Sequence, residues 1–542
     1  MPPPAPLPPP SGMTAADLAA LTADQVAALP AAQVGELLKR QDELRWAAEL
    51  PYFRDLHALL PEPFFHTSGF LAFTFAVGLT YWLIPRRHNT ARVWLLVIAS
   101  FHFYAAWNAG LAFLVTGTAT ADFLLARLMG RTTHHRARFA IAAASVGLNL
   151  GVLGYFKYRG FFLNELHDLL GRAGVPAGFD KLTPLDILIP FGISFYTFEA
   201  VSYAVDVYKR KIPAERSLPH FLLFILFFPH LVAGPIVRAG DFLRQTRRVK
   251  RWNWVRVQVG VEFFLVGLIK KLAVADRMAV FSDPVLADPA SYNATSLWLA
   301  TLAYALRIYA DFSGYSDMAV GIAHLFGYKL VQNFAMPYLA ANVADFWRRW
   351  HMSLSSWLRD YVFIPLGGSR GSTLATDRNL MVTMLLGGLW HGSTWGYVVW
   401  GGLHGLLLVG HRHFRRFAAG RPHLTAALDT LPGLIARTTL TMFCVSVLWV
   451  FFQPDLSKAL LMLERMVTLA ADSTKPLPLH NRSLWYTVLA LFVCQISVAT
   501  GAFRRAWVAL PPVAVGVAYA AGLNLALILA PEQGQSFIYF TF

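Results

Sequence analysis

Cysteine is almost missing from this 542-residue chain: it has two, Cys444 and Cys494, far apart and both inside apolar stretches. That excludes a disulfide framework, nothing supports a bridge between these two, and no Cys/His spacing suited to a metal centre occurs. Charge is scarce as well, with 14% of residues charged against 56% hydrophobic and a mean hydropathy of +0.46. Soluble domains carry roughly 25% charged residues, so the composition points to a membrane protein. The charge that is present leans one way, 47 Lys and Arg against 31 Asp and Glu, a formal +16. In so apolar a chain this excess reads as basic loops facing anionic headgroups and the cytosol, with no nucleic-acid partner. No basic segment runs straight into a short apolar one at the start, so no secretory signal peptide is expected. No internal repeat is evident, which weighs against an inverted-repeat transporter.

Composition shifts once along the chain. Residues 1–63 begin with the proline-rich MPPPAPLPPPSG and continue as an Ala/Leu-rich stretch broken at Pro30 and Pro51. This extension is expected to be partly disordered and partly amphipathic helix, serving as a peripheral arm or, alternatively, a partner-docking element. Residues 64–542 form the membrane core. Apolar stretches occur at 65–84, 139–155, 187–205, 221–237, 257–274, 296–310, 380–408, 434–452, 485–500 and 512–529. A shorter piece lies at 317–326, and two short spans, separated by an interruption near Asn108 and Gly110, fit between the basic loops near 85–92 and 127–138. The expected fold class is therefore an all-α polytopic membrane protein with about 11–13 transmembrane or re-entrant helices. Several are short or interrupted, and irregular backbone at membrane depth is tolerated where it lines a cavity, so a central funnel or tunnel is expected. If both basic loops are cytoplasmic, the N-terminal extension lies outside, which cysteine accessibility at position 20 would test.

The stretch from Asn342 to Gly405 concentrates the chemistry. Its first half reads as one amphipathic helix. Trp347, Trp350, Leu354, Trp357, Leu358 and Tyr361 fall on one side, with Arg348, His351, Ser355 and Arg359 along one flank and Arg349, Ser356 and Asp360 along the other. His351 is thus expected where the two faces meet. In the second half His391 follows MVTMLLGGLW, and Gly387, Gly388 and Gly392 allow a kinked helix or close approach of another backbone. An ionisable residue at membrane depth is a functional candidate by default. The plain alternatives are a packing histidine and a Trp/Arg interfacial anchor; anchor and site are compatible.

Other polar residues read more simply. Arg307 and Asp311 are four apart and are expected to pair across a helical turn, with substrate shaping as the alternative role. Glu199, Asp206 and Lys209 read as structural or helix-terminal, and His230 as a packing or loop-shaping residue. His404, thirteen residues after His391, is a candidate for lining the same cavity. The basic run at 244–256 reads as a surface segment touching anionic lipid, with an acidic carrier or donor nucleotide as its alternative ligand.

Several motifs carry a resemblance. DFWRRWHMSLSSWLRDYVFIPLGG, GLWHG and the terminal FIYF resemble the membrane-bound O-acyltransferase family, in particular its bacterial cell-envelope branch of alginate O-acetylation and teichoic acid D-alanyl transfer proteins. The likeness continues through LNLGVLGYFKY, IPFGISFYTFEAVSYAVDVYK, FFPHLVAGPIVR, GLIKKLAVAD and DFSGYSDMAVGIAHLFGYKLVQNFAMPY, covering roughly residues 65–542 in order. It implies that His391 is the catalytic residue and that His351 assists it. It also implies that Trp347, Arg348, Arg349, Trp350 and Trp390 shape the tunnel or bind the donor; Asp311 is the further substrate-site candidate.

Acyl transfer requires a base within reach of an attacking hydroxyl and donors to the carbonyl oxygen as it gains charge. The resemblance implies a bacterial inner-membrane enzyme with no permanently bound cofactor. Its substrate would be a cytoplasmic acyl thioester, acetyl-CoA or an acyl carrier. The acyl group, acetyl by preference, would pass to an exported polysaccharide such as alginate, directly or through a periplasmic acetyltransferase or esterase-like partner. D-Alanyl transfer from a carrier protein and peptidoglycan O-acetylation are the alternatives within the family. A proton-coupled transporter and a non-catalytic scaffold are the alternatives outside it.

Overall fold

The structure, a computed structural model, describes residues 65, 67–176, 178–182, 190–476, 481–530 and 537–538. The readings made for residues 1–63 lie outside the described residues, and those for the terminal FIYF do so in part. Every described regular element is helical. The chain divides into two compact units, one from residues up to Val232 plus Arg238–Arg251, the other from Ala233–Val237 and residues from Trp252 onward.

The first unit holds α1 (Ser68–Leu83), α2 (Asn89–Ala105), α3 (Ala109–Arg131), α4 (His135–Leu153), α5 (Arg159–Arg172), α6 (Ile193–Tyr208), α7 (Leu218–Leu226), α8 (Phe228–Leu231) and α9 (Ala239–Thr246). The break expected near Asn108 is present: Asn108 sits between α2 and α3 and its side chain caps α3 by accepting from Leu111 N at 2.8 Å. Arg92 and Arg138, both from basic loops read as headgroup-facing, are buried. Arg92 donates to Ile84 O at 3.0 and 2.6 Å and to Lys250 O at 3.0 Å; Arg138 reaches Val207 O at 2.9 Å and Tyr208 O at 3.0 Å. Arg92 thus satisfies the carbonyl after α1 and one in a loop, and Arg138 the carbonyls at the end of α6. Gly192 opens α6 with φ +71°, and a Cβ there would lie 2.2 Å from Leu231 O, so only glycine fits. His230 is buried between the rings of Phe227 and Phe242, 3.5 Å from Glu199, the packing role expected of it.

The second unit holds α10 (Trp254–Ile269), α11 (Asp276–Ala287), α12 (Ala294–Leu325), α13 (Val343–Arg349), α14 (Met352–Leu358), α15 (Thr373–His391), α16 (Trp395–Ala419), α17 (Pro422–Asp429), α18 (Leu431–Leu448), α19 (Leu456–Val467), α20 (Asn481–Ala499), α21 (Ala502–Val508) and α22 (Pro512–Leu529). Two expected pieces, 296–310 and 317–326, are one continuous 32-residue helix, α12. Gly314 and Gly321 within it serve packing. A Cβ on Gly314 would lie 2.7 Å from Gly267 O, and one on Gly321 2.5 Å from Gly260 O, so α12 and α10 touch backbone to backbone. Small-residue contact of this kind is how helices associate in lipid.

Five described helices are long and apolar enough to cross a membrane, or up to six if the α1–α2 pair, bent by 115°, counts as one span. The eleven to thirteen expected include short and re-entrant helices, which this count of long ones leaves out. The other apolar stretches are helical too, but α6 and α10 are 16 residues each and α12 carries Arg307, Asp311 and Asp317 within its length.

Candidate active site

The single amphipathic helix expected over 347–361 is two helices. Trp350 leaves helical geometry and His351 takes a left-handed conformation, φ 42°, between α13 and α14. Such a backbone is costly for a residue with a Cβ and persists where its surroundings hold it. Here residues 333–335 hold it from both sides. Ala335 N donates to Arg349 O at 3.0 Å, Met352 N to Asn333 O at 2.9 Å, and Ser353 N to Asn333 Oδ1 at 3.3 Å. The break lifts His351 off the face boundary where a straight helix would put it; it is 0% exposed.

His391 is the last residue of α15, 3% exposed. The break expected at the glycines within 380–408 falls just after it, at 392–394, while Gly387 and Gly388 lie inside the helix. Those two stay helical, and Gly388 lets α16 approach: a Cβ there would lie 2.3 Å from Tyr397 O, and one on Gly401 2.4 Å from Met384 O. Gly392 is closed in too, because a Cβ would overlap the Tyr397 ring at 2.2 Å. The glycines around GLWHG therefore dock α15 on α16 with His391 at the joint.

These two local solutions bring the histidines together. Their ring centroids are 6.4 Å apart, with Trp390 bridging them at 5.7 Å from His351 and 4.9 Å from His391. Phe312 from α12 stands 4.6 Å from His351, while Trp400 and Phe452 stand 5.1 Å from His391. Trp350 is 0% exposed, stacked on Phe346 at 5.3 Å and packed against Trp449 at 5.0 Å. Trp347 lies 5.7 Å from Trp400 and 5.2 Å from His404. His404, read from sequence as a weak candidate, belongs to the same cluster, 4.8 Å from Trp400.

The remaining sequence candidates lie elsewhere. Arg348 and Arg349 both turn to Asp345, at 3.4 and 2.9 Å, and the Arg348 side chain is 69% exposed. Arg307 pairs with Asp283, not with Asp311 as the i,i+4 spacing predicts. Asp311 instead pairs with Lys271 at 2.9 Å, alongside Asp276 at 2.7 Å from the same ammonium, and accepts from Ile538 N at 2.7 Å. It is part of a charged knot, and its neighbour Phe312 contacts His351. Sequence reading missed Phe312, Phe452 and Asn333. Asn333 carries no signal of its own; Phe312 could be found as the residue after the buried Asp311.

The arrangement is a membrane-type, helical protein with two buried imidazoles in one aromatic cluster, and its class is that of membrane O-acyltransferases. The family model described as the membrane-bound O-acyltransferase family matches residues 198–450, and the chain belongs to that family. It is 39% identical to a probable alginate O-acetylase of Azotobacter vinelandii, over 71% of this chain and 74% of that protein. It is 38% identical to the corresponding protein of Pseudomonas aeruginosa, over 78% and 79%. It is also 35% identical to a peptidoglycan O-acetyltransferase of Helicobacter pylori, over 70% and 74%.

Proposed function

We propose that this O-acyltransferase takes acetyl groups from a cytoplasmic thioester, acetyl-CoA or an acyl carrier, and delivers them across the bacterial inner membrane for O-acetylation of an exported, alginate-like polysaccharide. Residues 64–542 form the catalytic core, His391 is the base, and His351 assists it across the 6.4 Å between their rings. The observation that carries this reading is the meeting of two histidines, forty residues apart in sequence, in one buried aromatic cluster. Burial of this kind strengthens hydrogen bonds to a reacting group and keeps water from competing with the acceptor hydroxyl. Acetyl is favoured over D-alanyl because the relatives above are named for acetyl transfer. The Helicobacter pylori relative keeps peptidoglycan as the second acceptor to try. A periplasmic acetyltransferase or esterase-like partner receives the group where the polymer itself does not reach the site.

The test supplies acetyl-CoA labelled in the acetyl carbon to inverted inner-membrane vesicles containing the full chain, with alginate oligomers enclosed. Label in base-labile ester on the enclosed polymer is the expected result. Label that accumulates inside without any ester would support transport instead and overturn the reading.

A further inference from the structure

Around His391 lie polar groups that the histidine pair does not use. Trp400 is 0% exposed and sits at the centre of the cluster, 5.1 Å from the His391 ring, 4.8 Å from His404 and 5.0 Å from Phe452. Its indole Nε1–H has no hydrogen-bond partner among the described residues, nor has either ring nitrogen of His404, which is also 0% exposed. A buried donor left without an acceptor costs about 1–3 kcal/mol, and native interiors rarely leave one. Trp347 and Trp350 also hold indole N–H groups without a partner among the described residues, but of the three Trp400 stands beside both His391 and His404, and neighbouring groups are satisfied within the protein. Tyr304 Oη donates to Phe452 O at 2.7 Å and Gln453 Nε2 to Val450 O at 2.7 Å. The acceptor for Trp400 is therefore to be sought in a substrate.

We propose that the Trp400 indole N–H, with the His404 imidazole beside it, is the hydrogen-bonding subsite for the carbonyl oxygen of the acyl group under transfer. This rests on the reading of His391 as the base. The acceptor oxygen attacks the thioester carbon, its proton passes to His391, and the carbonyl π pair moves onto the carbonyl oxygen. That pair returns as the C–S bond breaks, and the sulfur leaves as a thiol with the proton from His391. The oxygen is an anion only between those events, and a fixed donor in a dry surrounding stabilises it there without rearranging. Trp400 is held rigidly enough for this: it is stacked on Trp449 at 5.5 Å and 25° and meets Trp347 edge-on at 5.7 Å.

The test uses the full chain in nanodiscs, with acetyl-CoA carrying 13C at the carbonyl as the probe. In a His391→Gln background, which stops turnover, isotope-edited infrared spectra report the carbonyl stretch of the bound donor. Adding Trp400→Phe keeps the ring and removes the N–H, and the band is expected to move to higher frequency with donor affinity within about twofold. In the chain with His391 intact, Trp400→Phe is expected to lower kcat by about a hundredfold and leave KM within about twofold. A bound band that does not move overturns the proposal. No bound band in the folded His391→Gln protein overturns the donor reading beneath it. Where Trp400→Phe does not accumulate, His404→Phe decides by the same band: a shift supports the subsite and an unmoved band rejects it.

Discussion

Two buried polar regions of the second unit are built on opposite rules. In the charged knot, Lys271 serves both Asp276 and Asp311 at 2.7 and 2.9 Å, Asp311 also accepts from Ile538 N, and Arg307 pairs with Asp283. In the aromatic cluster, His404, Trp347, Trp350 and Trp400 hold buried nitrogens with no hydrogen-bond partner among the described residues. The knot pairs its charges within itself and leaves one carboxylate oxygen, Asp276 Oδ2, without a hydrogen-bond partner among the described residues, whereas the cluster leaves several N–H groups so. A buried charge met by its counter-charge supports the fold, and a buried donor without an acceptor marks where the proposed substrate contact is to be tested.

The comparison is broken most severely at Lys271. Lys271→Ala would leave two buried carboxylates without their cation and is expected to destabilise the fold by about 3–5 kcal/mol, read as loss of folded protein and a lower Tm. Normal yield and Tm would remove the knot from the fold's supports. His351→Gln is the counterpart in the cluster. Turnover is expected to fall by about a hundredfold with little change in Tm, and unchanged kcat would take His351 out of the site. A smaller effect separates Glu215, in the loop after α6, from both regions. Burial raises its carboxyl pKa, but Ser217 N, Arg247 and Arg216 N outweigh that and hold it below the usual value. A depressed folded pKa stabilises above the unfolded value of about 4.3 and loses that contribution as pH falls through the folded one. Wild type is therefore expected to lose more stability than Glu215→Gln between pH 6 and pH 3, and equal losses would count against the assignment. The smallest effect belongs to Arg348, whose exposed contact with Asp345 is worth less than about 0.5 kcal/mol. Arg348→Ala is expected to leave Tm unchanged; a drop of several degrees would show that its exposed position is not the functional one.

Much of this was legible from residues alone, and the exceptions have physical causes. The helical class, the membrane character and the break at Asn108 follow from long apolar runs and a capping side chain. His391 stands out because glycines and tryptophans flank an ionisable residue in an apolar run. The kink at His351 is not legible, because nothing in FWRRWHMSL breaks a helix; hydrogen bonds from residues 333–335 impose it. Periodicity likewise paired Arg307 with Asp311, but the partners come from α11 and from the turn before it, which spacing along one helix does not see. The glycines at 387, 388 and 392 were legible as a place for a kink or a close backbone approach: the helix ends at Gly392, and Gly388 is a contact surface for α16.

The measurement that bears most directly on the account is the O-acetyl content of exported polysaccharide from cells whose only copy carries His391→Gln at the wild-type membrane level. The account predicts no ester above background. Polymer acetylated to the wild-type degree would contradict it.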